Sequence, residues 1–254
     1  YYNISRATQG LVAYVKKWAD RQKLSRRPRI CISYDTRYFS REFADLAAKV
    51  ITDLGCDALV FGEPRPTPEL SFAVRHHGAQ AGINITASHN PPAYNGYKVY
   101  FDDGGQVVEP HASAIIAEVD AVKSAHYEPL PEGGRGERET LGAETDDAYL
   151  DRLEKVVLDP ALVEREKGLK IVYSPLHGVG ASIVMPLLKR LGFDATAVPE
   201  QLAPDSRFPT VESPNPEYAE ALTMALQLAD KIGADLVMAT DPDDDRMGVA
   251  VRGR

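Results

Sequence analysis

Cysteine and tryptophan are scarce in this sequence, with two of the first and one of the second among 254 residues. Cys31 and Cys56 lie in separate apolar runs, and two thiols make neither a disulfide framework nor a zinc pattern. They read as buried, reduced thiols, which suits a reducing, cytoplasmic setting. Long hydrophobic runs are missing as well. Nothing approaches the roughly 18 consecutive apolar residues of a membrane-spanning helix, so no membrane partner is expected. Basic excess is also lacking: the formal charge is −8, which argues against general nucleic-acid binding. It leaves open an anionic small substrate, because a local cluster of cations or a metal can dominate one cleft. The amino terminus, Tyr1-Tyr2-Asn3, has no initiator methionine and no basic-then-apolar signal pattern, and reads as a start inside a longer protein.

Hydrophobic residues make up 44% and charged residues 26% of the chain, as in globular proteins, and the length suits about two domains. Residues 4–19 carry apolar positions at helical spacing, with Trp18 expected in the core. Ile30–Tyr34 reads as a strand. A helix over 41–54 follows, with Ser40 as its N-cap and Gly55 as its stop. Strand 58–61, a proline-rich loop at 64–68, a helix ending near His77, and strands 81–85 and 97–101 come next, and a helix over 110–123 closes the unit. Residues 126–146 hold Pro129, Pro131, Gly133, Gly134, Gly136 and Gly142 among many charges and read as a mobile linker. The same style then returns: a helix over 146–157, strand 169–173, a glycine-rich turn at 177–180 opening a helix to 191, strand 193–198, a long loop to Pro216, a helix over 217–232 and a buried strand 234–239. Strands alternating with helices predict two consecutive α/β domains with mixed sheets between helices, 1–135 and 136–254.

Two stretches carry chemistry. The first, Thr86-Ala87-Ser88-His89-Asn90-Pro91, opens a turn-rich loop at the carboxyl end of a strand, where α/β sheets bind ligands. The second, Asp241-Pro242-Asp243-Asp244-Asp245-Arg246, sets carboxylates at alternate positions after another buried strand. Acids gathered this closely repel one another unless a cation sits between them. The calcium helix–loop–helix pattern begins the same way but then requires a glycine and a glutamate, where this chain has Arg246 and Arg252. All-oxygen ligands favour Mg²⁺ over zinc or copper. The glycine-rich turn at His177-Gly178-Val179-Gly180 is a weak phosphate signal that close strand–helix packing explains equally well, and His177 reads as structural.

Thr86–Pro91, with Gly96 and Lys98 following, resembles the phosphoserine loop of the α-D-phosphohexomutases, the phosphoglucomutase and phosphomannomutase superfamily. The acidic stretch resembles that superfamily's metal loop, and Ser5–Leu11 resembles the first helix of its longer phosphoglucomutase/phosphopentomutase branch. The resemblance covers the whole chain, as the superfamily's first two domains, and implies two further domains that this chain does not contain. It implies an intramolecular phosphotransferase that moves phosphate between C1 and C6 (or C5) of a sugar phosphate through a bisphosphate intermediate. A sugar 1,6-bisphosphate serves as primer. Phosphoglucomutase comes first; phosphopentomutase, phosphomannomutase, a sugar-bisphosphate synthase and a non-catalytic scaffold are the alternatives, and the preferred sugar and the oligomeric state stay open. By resemblance Ser88 carries the phosphate. Asp241, Asp243 and Asp245, with an oxygen of the phosphoserine, hold one Mg²⁺ per chain. Lys98 is the acid/base or charge stabiliser, His89 assists proton transfer or orients the loop, Arg246 holds the phosphoserine or steers the metal loop, and Asn90 shapes the loop. Asp35 and Arg37 match a common Asp-x-Arg element of structural character. Without the implied distal phosphate grip, this chain alone is expected not to turn over.

Overall fold

The computed structural model describes residues 1–253. Its first half runs α1 (Tyr2–Arg21), β1 (Arg29–Tyr34), α2 (Ser40–Asp53), β2 (Asp57–Phe61), α3 (Thr67–His76), β3 (Ala81–Ile85), β4 (Lys98–Phe101), α4 (His111–Ala121) and β5 (Arg138–Leu141). The second half runs α5 (Ala143–Glu154), α6 (Pro160–Arg165), β6 (Lys170–Ser174), α7 (Val184–Arg190), β7 (Asp194–Ala197), α8 (Pro199–Leu202), α9 (Thr223–Ile232), β8 (Leu236–Thr240) and β9 (Met247–Val251).

In the first sheet the order is β4-β3-β1-β2-β5, with β4 antiparallel to β3 and the other pairs parallel. Side chains of successive strand residues leave on opposite faces. Ile30, Ile32, Val60, Ile83 and Ile85 therefore pack with Leu11, Val15, Ile51 and Ile115 on one face, while Cys31, Leu59 and Phe61 pack with Leu70 and Val74 of α3 on the other. Burial on both faces explains why β1 and β2 read as apolar runs rather than alternations; β3, which reads as a half-buried alternation, is buried at every position. Trp18 lies against the first core and meets Phe101 edge-on. Cys31 and Cys56 are free and buried, and burial pushes both thiols up to about 12.

The second sheet, β7-β6-β8-β9, repeats the connection order of β2-β1-β3-β4: a central strand, a parallel neighbour on each side, and an antiparallel strand outside the third. Val172, Val198 and Val237 pack on Ala225 and Ala229 of α9. The opposite face is less covered where β9 lies, with Met247, Val249 and Val251 57%, 49% and 73% exposed.

Some expectations are corrected. Ser40 does not cap α2; its hydroxyl donates to Asp35 Oδ1 at 2.8 Å, and the helix opens from Phe39 in the left-handed region. The stretch 126–146 is packed chain, not a free linker. Tyr127 donates to Asp53 Oδ2 at 2.9 Å, the Leu130 N–H donates to the Asp53 carbonyl at 2.9 Å, and β5 extends the first sheet. Its composition hides this because Arg138, Glu139 and Thr140 sit exposed on an edge strand and only Leu141 turns inward. Gly136 passes so close to the chain at Cys56 that an added Cβ would fall 1.7 Å from its carbonyl oxygen. Since β5 follows residue 135, the division between domains is better drawn at Gly142. Strand β9 and helices α6 and α8 have no counterpart among the elements read from the sequence.

Candidate active site

The Ser88 loop and the acidic loop occupy the same place in the repeated topology, after β3 and after β8, and the two domains bring them face to face. Ser88 is 8% exposed and adopts φ +52°, a conformation that non-glycine residues rarely take. Several contacts hold it there. The Ser88 N–H donates to Thr86 Oγ1 at 2.9 Å, and Thr86 in turn donates to Asp35 Oδ2 at 2.7 Å. Beneath the loop lies Arg37, whose guanidinium donates to the carbonyls of Ser88 and Asn90, of Pro91 at 2.9 Å and of Tyr94 at 3.0 Å. Its Nε donates to Asp35 Oδ2 at 3.0 Å. Phe208, from the long loop of the second domain, lies 5.1 Å from the same guanidinium. Gly96 is required where the loop returns, since a Cβ there would lie 2.5 Å from the Thr86 carbonyl oxygen.

The Ser88 hydroxyl donates to Asp241 Oδ2 at 2.7 Å, and its oxygen lies 3.2 Å from His89 Nδ1. Asp241 Oδ1 accepts the N–H groups of Asp245 at 3.1 Å and Arg246 at 3.0 Å, so the acidic loop curls around this carboxylate. Asp243 Oδ2 accepts Lys98 Nζ at 3.0 Å and the Thr67 hydroxyl at 2.9 Å. Asp243 Oδ1 is buried without any partner. Lys98 also reaches Asp245 Oδ2 at 3.5 Å. Among the described residues, Asp241, Asp243 and Asp245 form a group whose potential ligand oxygens lie within 4.8 Å of one another.

The electrostatics follow from this crowding. Burial, then the neighbouring Asp243, push the Asp241 carboxyl well above the usual range. Burial alone would raise Asp243 too, but the Lys98 ammonium and the hydrogen bonds it accepts hold it below. Burial works against the Lys98 charge, and Asp243 and Asp245 outweigh it, keeping the ammonium above its ordinary value. His89 is held below its ordinary value by burial and then by Arg246, which favours a neutral imidazole. Three carboxylates, a buried oxygen with nothing to bind and an all-oxygen donor set fit a hard divalent cation.

Of the residues singled out in the sequence, Ser88, His89, Lys98, Asp241, Asp243 and Asp245 meet at this point. Asn90 is exposed and enters the loop through its carbonyl, which Arg37 binds. The Arg246 guanidinium turns to Glu217 Oε1 at 3.1 Å rather than to Ser88. Gly178 and Gly180 serve close packing: a Cβ on Gly178 would lie 2.4 Å from Pro242 Cα, and one on Gly180 would lie 2.6 Å from Asp244 Oδ1. His177 is buried and hydrogen-bonded to Thr210 Oγ1 at 2.9 Å. The sequence reading left Thr67 and Phe208 out of the site. The flanking prolines of Thr67 were a signal of a fixed backbone at a helix start; Phe208 offered none.

Residues 2–126 match the family model of phosphoglucomutase/phosphomannomutase, alpha/beta/alpha domain I, and residues 147–254 match that of domain II. A phosphopentomutase of Homo sapiens is 38% identical over 264 aligned positions, covering 97% of this chain and 42% of that protein. A phosphoglucomutase of Staphylococcus haemolyticus is 36% identical over 259, covering 99% of this chain and 45% of that protein. The chain thus spans about half the length of the curated relatives it matches. A crystal structure from Thermus thermophilus superposes on 98% of the chain with a TM-score of 0.81 and 26% identity, using 53% of its own length. A phosphoglucomutase/phosphomannomutase family protein from Burkholderia thailandensis does so over 98% of this chain and 50% of its own, with a TM-score of 0.71 and 25% identity.

Proposed function

This chain belongs to the phosphoglucomutase/phosphomannomutase family, and from that premise we propose that it is the phosphoryl-carrying half of a phosphosugar mutase, with Ser88 as the carrier. The observation that carries this reading is the 2.7 Å hydrogen bond between the Ser88 hydroxyl and Asp241, a carboxylate of the acidic loop on the other domain. A serine placed to carry phosphate needs a cation beside it, and the three carboxylates that would hold one stand there.

In the proposed reaction the Ser88 Oγ–phosphorus bond breaks as a hydroxyl oxygen of the sugar monophosphate bonds to phosphorus. The hydroxyl proton passes to a base, Ser88 Oγ takes up a proton as it leaves phosphorus, and the sugar leaves Ser88 as a bisphosphate. The reverse transfer from the other end of the sugar restores the phosphoserine. Asp241, Asp243 and Asp245, with a phosphoserine oxygen, would hold one Mg²⁺. When bound it would neutralise charge on the phosphoryl oxygens. The chain's own side chains do the rest. Lys98 sets an ammonium beside the transferring group as charge stabiliser and proton source. His89, neutral and 3.2 Å from Ser88 Oγ, orients that oxygen and can take a proton. Arg37 fixes the loop from below and Asn90 contributes its carbonyl to that grip. Arg246, tied to Glu217, steers the metal loop. Glucose phosphate is the first candidate substrate, with pentose and mannose phosphates next, and a sugar 1,6-bisphosphate is the primer. Turnover requires a grip on the distal phosphate, and such positioning is worth about 7–11 kcal/mol in favourable cases.

Incubation with glucose 1,6-bisphosphate and Mg²⁺, followed by intact-mass analysis and peptide mapping, tests the reading. One phosphoryl group on Ser88, absent from Ser88→Ala, is expected. Phosphate placed stably elsewhere, with Ser88→Ala accepting it equally, would overturn it.

A further inference from the structure

The two oxygens of Asp243 have opposite fates. Its Oδ1 is buried and unpartnered. Its Oδ2 is held by two side chains of the other domain, Lys98 and Thr67. Thr67 opens α3 and is buried at 6% exposure. It touches Asp243 twice, since its backbone N–H also donates to the Asp243 carbonyl at 2.9 Å. That N–H is one of the donors a helix start leaves without an internal partner.

The hydroxyl's direction is set by its neighbours. An ionised carboxylate only accepts, so the Thr67 proton points to Asp243. The remaining lone pairs of Thr67 Oγ1 must then face a donor, and Asn84 Nδ2, buried in the middle of β3, supplies it at 2.5 Å. Asn84 Oδ1, on the other side of the amide, has no partner. The result is a one-way relay, Asn84 to Thr67 to Asp243, that rises from the first sheet, crosses the domain interface and fixes one oxygen of a candidate metal ligand.

We propose that Thr67, oriented by Asn84, is a positioning residue that presents Asp243 Oδ1 to the cation, so that the first domain helps set the metal affinity of a loop belonging to the second. The inference rests on the reading of the acidic loop as a divalent-cation site. Side chains that orient a ligand through its other oxygen change metal affinity by about 10- to 100-fold when removed.

Calorimetric titration of the 254-residue chain with Mg²⁺ alone, without substrate, gives the test. Thr67→Val keeps the shape and the backbone contact but loses the hydroxyl, and should weaken Mg²⁺ binding about 10- to 100-fold. Thr67→Ser restores the hydroxyl and should stay within about threefold of the unaltered chain. Thr67→Ala carries the same expectation as valine should valine disturb the helix start, with circular dichroism checking the fold of each variant. Valine and alanine variants that bind within about twofold of the unaltered chain, or a serine variant as weak as valine, would overturn the inference while leaving the metal reading intact. An unaltered chain that binds no Mg²⁺ would overturn both.

Discussion

In the first sheet Ile83, the third residue of β3, is fully buried, and its cross-strand partner Val99 packs onto the same core. In the second sheet Met238, the third residue of β8, is only half-buried, and its partner Val249 is 49% exposed. The strands connect alike, yet α1 and α4 cover a face in the first sheet whose counterpart along β9 lies open. The loops that follow β3 and β8 are nevertheless held equally closely, one by Arg37 from beneath and the other by its own backbone around Asp241. Site geometry in this molecule therefore resides in the loops and in the contacts between domains, while the cover over each sheet governs stability.

Two guanidiniums sharpen that contrast most. Arg37 is fully buried and paired with Asp35, whereas the Arg246 side chain is 38% exposed and meets a Glu217 that is 61% exposed. Removing one partner of a buried pair leaves an uncompensated charge, so Arg37→Leu should cost about 3–5 kcal/mol in urea unfolding of the first domain, read through Trp18 fluorescence. Arg246→Ala should cost less than about 1 kcal/mol by circular dichroism. Equal losses would break the comparison.

The sheet faces come next. Ile83→Ala should destabilise by about 2–5 kcal/mol, the range for a closed core site. Val249→Ala, on the open face, should change stability by no more than about 0.5 kcal/mol. A large loss at Val249 in calorimetric unfolding would mean that its face is covered after all.

A pH effect completes the set. Glu69 of α3 is fully buried with both oxygens unpartnered, 4.0 Å from Arg65. Burial, then the neighbouring Asp146 of α5, push its carboxyl from 4.5 up to about 9. A folded-state value above the unfolded one means that the stability tied to the proton is fully present below 4.5 and is lost as pH rises through about 9. Glu69→Gln keeps the neutral form at every pH. It should match the unaltered chain near pH 4.5 and be more stable than it near pH 9 in thermal unfolding. Identical pH slopes would contradict this.

Much of this was legible in the sequence, for physical reasons that differ by element. Strands β1 and β2 were visible because burial on both faces demands unbroken apolar residues, and β3 and β8 because apolar residues fill most of their positions. The Ser88 and acidic loops were visible because their chemistry fills consecutive positions. Strand β5 was not, since a polar edge strand such as Arg138–Leu141 needs only one inward residue. Strand β9 was hidden behind the acids of the metal loop. The sharpest gap was Thr67: a hydroxyl that works through a carboxylate far along the chain leaves no local pattern. Arg37 was read as structural, and its grip on the Ser88 loop agrees with that reading; no property of an Asp-x-Arg element says which carbonyls it will bind.

The central claim is that the serine loop of one domain and the acidic loop of the other form a single metal site. Diffraction from crystals soaked in Mn²⁺, recorded for its anomalous signal, tests this most directly. The account predicts one strong peak bounded by the carboxylates of Asp241, Asp243 and Asp245, on the side facing Ser88 Oγ, and its loss in Asp243→Ala. A peak away from Ser88, or one that persists unchanged in Asp243→Ala, would contradict it.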